Sequence, residues 1–185
     1  EFRRVLFRST YHSKVAVSAV EAGADMINDI SAGEMDKAMI STVAQLGVPY
    51  ICMHMKGTPA DMQLHPVYDD VVKEVLDFFT WKIKECTDAG IKDIIIDPGF
   101  GFGKTIAHNF ELLRNLHVFR ILDKPILAGL SRKSTVYKTL HTTAAHALNG
   151  TTVLHTIAIQ NGANLLRVHD VKEAVEVITL MEHIV

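Results

Sequence analysis

A carboxylate followed by alternating glycines, Asp97-Pro-Gly-Phe-Gly-Phe-Gly-Lys-Thr105, is the stretch of this 185-residue chain richest in chemistry. It is not a P-loop, because the position that needs a glycine five residues before Gly103-Lys104 holds Pro98. Nor is it a dinucleotide fingerprint: glycines 99, 101 and 103 space as GxGxG, and no acidic residue follows where a ribose would need one. What remains is a carboxylate ahead of a loop that lets a planar ligand approach backbone, with Phe100 and Phe102 as walls. Taken alone, Asp97-Pro98 serves equally well as the start of a turn.

Other polar groups follow apolar runs in the same way. Asn28-Asp29 can cap a helix, or Asn28 and Asp97 can grip the donor and acceptor edges of a heterocycle. Met53 offers a soft apolar contact or plain core, while His54, between two methionines, reads as structural. Ser131-Arg132-Lys133 puts cations where a helix dipole would oppose them, which suggests an anionic ligand. Arg167 and His169 have the i, i+2 spacing of one strand face and together suit a phosphate; a salt bridge would explain Arg167 alone. His12, His108, His141, His146 and His155 are scattered and read as surface or core residues. No Cys/His spacing suggests a transition metal.

These groups need a frame. Helical patterns at 13–23, 35–46, 67–89, 109–122, 144–160 and 171–184 alternate with short apolar runs at 25–29, 50–53, 94–96, 126–130 and 165–166. Gly47 ahead of Pro49 stops the second helix, and Asp170 with Glu173 has capping-box spacing. The stripe Val71, Val75, Phe79, Ile83 turns one face of the long helix inward. Fully apolar strands alternating with helices predict a parallel sheet covered by helices. Each run ends in polar residues, which favours a (β/α)8 barrel, where strand ends form one ring, over an open doubly wound sheet. Five strand–helix units and a preceding helix are visible, fewer than a barrel needs, so the expectation is an incomplete barrel lacking its front.

Residues 1–9 (EFRRVLFRS) show no period and read as a cloning or assembly remnant, leaving 10–185 as the domain. A formal net charge of −2 gives no basic footprint for nucleic acid, and no apolar stretch is long enough to span a membrane. Cys52 and Cys86 sit inside apolar runs and read as free buried thiols of a reducing compartment, hence a cytoplasmic setting.

The segments GADMINDISAG (23–33), MHMKGTPADMQ (53–63), DPGFGFGK (97–104), GLSRKS (129–134), NGT (149–151) and RVHDV (167–171) together closely resemble dihydropteroate synthase, the folate-pathway family that sulfonamides target. The resemblance implies condensation of a hydroxymethyl-dihydropterin pyrophosphate with p-aminobenzoate, assisted by Mg²⁺, in an enzyme that is a homodimer at full length. It places the pterin on Asn28, Ile30, Met53, Asp97, Gly101, Phe102 and Lys133. Pyrophosphate falls to Asn28, Arg167 and His169, and p-aminobenzoate to Phe102, Ser131 and Lys133. Asp97, Lys133, Arg167 and His169 would carry the catalysis. The family's metal-binding Asn and its mobile early loops would lie upstream of Thr10, and Ser9 stands where an Asp contacting the pterin is expected. The isolated chain is therefore expected to be inactive. A pterin-dependent methyltransferase and a non-catalytic pterin-binding paralogue are the rival readings.

Overall fold

The structure is a computed structural model that describes residues 7–58, 62, 64 and 66–184. Six parallel strands follow one another in chain order: β1 (Phe7–Ser9), β2 (Met26–Asp29), β3 (Tyr50–Met53), β4 (Ile94–Asp97), β5 (Leu127–Ala128) and β6 (Leu165–Leu166). The first four form one sheet in the order β1-β2-β3-β4, and β5 pairs with β6. A single bridge, Ile96 to Ile126, joins the two sheets. Strand order never reverses, so the frame is part of a (β/α)8 barrel rather than a doubly wound sheet.

The helices between them are α1 (Ser13–Glu21), α2 (Met39–Leu46), α3 (Val71–Asp88), α4 (Ile106–Arg114), α5 (Ser134–Thr139), α6 (Leu148–Gln160) and α7 (Val171–Met181). None is long and apolar enough to cross a membrane among the described residues. Asp70 caps α3 by accepting from the Lys73 amide, and the α3 stripe packs as its spacing predicts, with Val71, Val75 and Phe79 buried. Gly47 ends α2 at φ 67°, a left-handed cap that costs glycine little.

Three expectations need correcting. Residues 7–9, set aside for want of any period, form β1 in register with Met26, Ile27 and Asn28, so the count is six strands; residues 1–6 lie outside the described set. The second helix starts at Met39 instead of 35 because Asp29 holds the intervening turn: it accepts from Ser31 N, Ser31 Oγ, Gly33 N and Tyr50 Oη at 2.7–2.8 Å. The helix expected over 109–122 is α4 followed by a 3-10 segment, Leu116–Leu122.

Alternation along the strands sorts the side chains into two layers. Ile27, Tyr50, Cys52, Ile94, Ile96, Ile126 and Ala128 join the helices in the large core. Met26, Ile51, Ile95 and Leu127, with Leu165 against them, form a small second cluster inside the barrel. Two residues further along each strand path, on that same inner face, come Asn28, Met53, Asp97, Gly129 and Arg167. The inner cluster is thus the floor, and the polar residues form the next layer above it.

Candidate active site

Asp97 is fully buried at the end of β4. Its Oδ1 accepts from the Gly99 amide at 2.8 Å, so the turn reading of Asp97-Pro98 holds for that oxygen. Oδ2 lies 2.7 Å from Arg167 Nη1, yet no hydrogen bond of acceptable angle reaches it within the described protein. We take this contact as an ion pair that leaves a carboxylate lone pair for a ligand N–H.

Asn28, 1% exposed at the end of β2, donates to Ser9 Oγ at 3.0 Å and accepts from Arg167 Nη1 at 3.0 Å. The chain Ser9–Asn28–Arg167–Asp97 therefore crosses the inner layer. Gly129 makes room for it: a Cβ there would lie 2.6 Å from Arg167 Nη2.

Arg167 and His169, read as a pair on one strand face, take different partners. β6 ends at Leu166, so both lie just beyond the strand. Arg167 turns to Asn28 and Asp97, the salt bridge its alternative reading named. His169 is exposed and turns to Ser131: Ser131 Oγ accepts from the His169 amide at 3.2 Å and lies 2.9 Å from Nδ1. Ser131 itself is buried.

Lys133 is the N-cap of α5, a helix of only 6 residues, so a helix dipole is not what places it. Its ammonium donates to the Phe100 carbonyl and stands 4.7 Å from the Phe102 ring centroid, a cation–π contact. Burial pulls its pKa down to about 8, while the nearby Asp97 carboxylate works the other way.

The remaining expected residues fall into place around this layer. Met53 is fully buried beside Asp97, and Ile30, Gly101 and Phe102 are half-buried at the loop ends. Phe100 is not a wall: it is wholly buried in the large core. The glycine spacing serves protein backbone before any ligand. A Cβ on Gly99 would sit 1.9 Å from the His54 carbonyl oxygen and one on Gly103 2.2 Å from that of Lys56, so this loop is pressed on the loop after β3. Within MHMKGTPADMQ, residues 59–61 and 63 lie outside the described set.

Three features went unseen in the sequence. Arg132 holds a left-handed φ of 52° and forks onto Asp170 at 2.8 Å through Nε and Nη2. Asp170 is thereby drawn away from the capping box expected of it, and α7 has no side-chain cap. Lys104 is buried under the Gly-rich loop, 2.9 Å from His54 Nδ1. Burial and the neighbouring Lys104 and Lys56 push the His54 imidazole well below its ordinary pKa, consistent with a neutral structural ring.

Among the described residues, no group of three or more His, Cys, Asp or Glu side chains is placed to hold a metal ion.

An amide at the end of β2, a buried carboxylate at the end of β4 and cations after β5 and β6 thus gather at one end of the strands. Residues 9–169 match the family model described as pterin binding enzyme, and the chain belongs to that family. It is 39% identical over 175 residues to the dihydropteroate synthase of Escherichia coli (strain K12), covering 94% of this chain and 62% of that protein. It thus spans under two thirds of that relative's length. Dihydropteroate synthase from Stenotrophomonas maltophilia with imidazole in its active site superposes with a TM-score of 0.94 at 39% identity, covering 99% of this chain and 70% of that one. The Xanthomonas albilineans enzyme in complex with 7,8-dihydropteroate gives 0.88 at 41% identity, covering 96% and 68%.

Proposed function

We propose that this chain is the larger part of a dihydropteroate synthase, the transferase that joins a 6-hydroxymethyl-7,8-dihydropterin pyrophosphate to p-aminobenzoate. The observation that carries the reading is Asp97: a fully buried carboxylate whose Oδ2 has no hydrogen bond within the described protein, in the same layer as Asn28 and Arg167. Support also comes from the relative bound to 7,8-dihydropteroate, the product of that condensation.

In this mechanism Asp97 Oδ2 accepts N–H groups from the aminopyrimidinone edge, and Asn28 meets a second polar edge of the ring. The bond from the exocyclic methylene to pyrophosphate breaks, and cationic character spreads into the pterin, where the Asp97 charge stabilises it. Arg167, released from Asp97 as the pterin takes its place, swings to the departing anion, which His169 also meets. The aniline nitrogen of p-aminobenzoate then forms the new C–N bond and loses its proton to solvent. An aniline is neutral at pH 7, so no strong general base is required. Lys133 supplies positive charge at the pterin, and Phe102 and Ser131 border the p-aminobenzoate. Mg²⁺ belongs to the proposal through the family resemblance alone, and no step is routed through it.

The reading extends to a cytoplasmic setting, supported by the two free, fully buried thiols Cys52 and Cys86. It also extends to a homodimer through the late helices. Leu180 and Val153 are exposed there, and α6 and α7 frame a groove of about 330 Å³.

Calorimetric titration of the pterin pyrophosphate into the protein and its Asp97→Asn variant tests the reading. Binding that the substitution abolishes supports it. Tight binding indifferent to residue 97 makes the carboxylate structural, and a pterin that binds without its pyrophosphate mattering points to the methyltransferase or paralogue instead.

A further inference from the structure

The Gly-rich loop rests on a buried cation that this chemistry does not use. Lys104 is 3% exposed. Its Nζ lies 3.1 Å from the Phe102 carbonyl, 3.2 Å from that of Gly99, 3.5 Å from that of His54 and 2.9 Å from His54 Nδ1. An ammonium has only donors, so His54 Nδ1 must accept, which leaves the ring proton on Nε2. Four acceptors from two loops thus converge on one side chain, and removing it would strand buried carbonyls.

The same loop also holds Lys133. The Phe100 carbonyl accepts from Lys133 Nζ, the Phe102 ring lies 4.7 Å beneath it, and a Cβ on Gly101 would stand 3.2 Å from Lys133 Cδ. Both lysines therefore bond to one short piece of backbone, residues 99–102. The rest of the packing clamps that piece further. Tyr68 Oη donates to the Gly103 carbonyl at 2.9 Å, and Gly99 and Gly103 touch the backbone of His54 and Lys56.

We infer that Lys104 is a positioning residue, which fixes the place of the Lys133 ammonium at the pterin end of the site through the loop between them, with His54 as its oriented acceptor. What Lys133 does there rests on the proposed function; the positioning itself does not.

The charged groups around Lys104 are Asp97 at the end of β4, Lys133 after β5 and Lys56 after β3, the last paired with Glu74 of α3. Because removing one cation alters the field at the others, the readout should be geometric rather than a titration. A nuclear Overhauser contact between the Lys133 ε-methylene and the Phe102 ring, recorded below pH 6 where both lysines are charged, reports the position directly. In the native chain that contact is expected. In Lys104→Met it should disappear while amide exchange in β3 and β4 stays native. In His54→Gln, which keeps an acceptor facing Lys104, it should persist. The affinity for 6-hydroxymethyl-7,8-dihydropterin should fall about tenfold in Lys104→Met, the effect of losing one or two net hydrogen bonds. An intact Lys133–Phe102 contact in folded Lys104→Met overturns the inference. Should that variant fail to fold, His54→Leu removes one acceptor: a weakened contact supports the assignment and an unchanged one overturns it. A native chain that binds no pterin would count against the proposed function alone, because the contact is measured without ligand.

Discussion

The guanidinium of Arg167 lies 2.7 Å from Asp97 Oδ2, yet the hydrogen bond it completes is with Asn28 Oδ1 at 3.0 Å. One nitrogen, Nη1, faces both acceptors, so without a ligand the arginine neutralises the pocket carboxylate without using up its lone pair. The arginine and a bound heterocycle compete for Asp97, and this gives the first prediction. Replacing Arg167 by Met should weaken binding of inorganic pyrophosphate by about tenfold or more, the loss of a forked charge-assisted contact. Binding of the pterin alcohol, which carries no phosphate, should hold or tighten. Paired titrations of the two ligands check this, and equal losses for both would show that Arg167 merely supports the pocket.

Gly99 gives a stability prediction. Its φ is +70°, and an added Cβ would sit 1.9 Å from the His54 carbonyl oxygen, a backbone atom that cannot step aside. Gly99→Ala should cost about 3 kcal/mol or more from overpacking and left-handed strain combined. Urea unfolding measures this, and a loss under about 1 kcal/mol would mean the two loops separate easily.

Arg132 and Asp170 tie the loop after β5 to the start of α7. Besides the fork onto Asp170, Arg132 Nη1 donates to the carbonyls of Ala144 and Ala145 at 2.8 and 2.6 Å. The pair is about four-fifths covered, with side chains 23% and 20% exposed. Arg132→Met should therefore destabilise the fold, and by more than loss of a freely exposed pair would. Asp170→Ala should cost a similar amount through the pair, with no helix-capping loss added, because the Asp170 side chain caps nothing. A double-mutant cycle checks that the two effects are not additive.

The buried bases set the pH dependence. Burial holds His155 at about 4, against 6.5 for a free histidine, and shifts His54 in the same direction. Between those values the unfolded chain binds the extra proton, so stability present above pH 6.5 is lost as pH falls toward 4. Lys104, pulled by burial to about 7 from 10.5, has the same sign: stability rises with pH across that window. Lys133 adds to the rise from about 8 upward. Denaturant unfolding across the range from about pH 4 to about pH 10 checks both limbs. Loss of the acid limb in His155→Leu would assign part of it to that residue.

Much of this arrangement was legible in the chain. Short apolar strands closed by polar residues gave the barrel and its ring of functional ends, because alternation along a strand fixes which side chain follows which onto the inner face. Phe7–Ser9 was not legible: three residues carry no period, and their pairing with β2 is what makes them a strand. The separate partners of Arg167 and His169 were not legible either, because the spacing argument assumes a strand that runs through both, while β6 stops at Leu166. Local spacing also cannot see the competition that draws Asp170 from its helix to Arg132. Lys104 did leave a signal. A lysine closing a run of glycines directly after a buried strand has to find acceptors in backbone, and His54 stood at the end of the neighbouring strand.

The single bridge between Ile96 and Ile126 has a mechanical meaning for the molecule. It leaves two plates of strands with one backbone bridge among the described residues, Asn28 and Asp97 riding on one plate and Lys133 and Arg167 on the other, the bond from Arg167 to Asn28 crossing the same joint. A ligand held by all four spans the joint like a strut. Occupancy should therefore stiffen the whole barrel wall far more than the area of the ligand suggests, and thermal breathing of the empty protein should be concentrated along that one line.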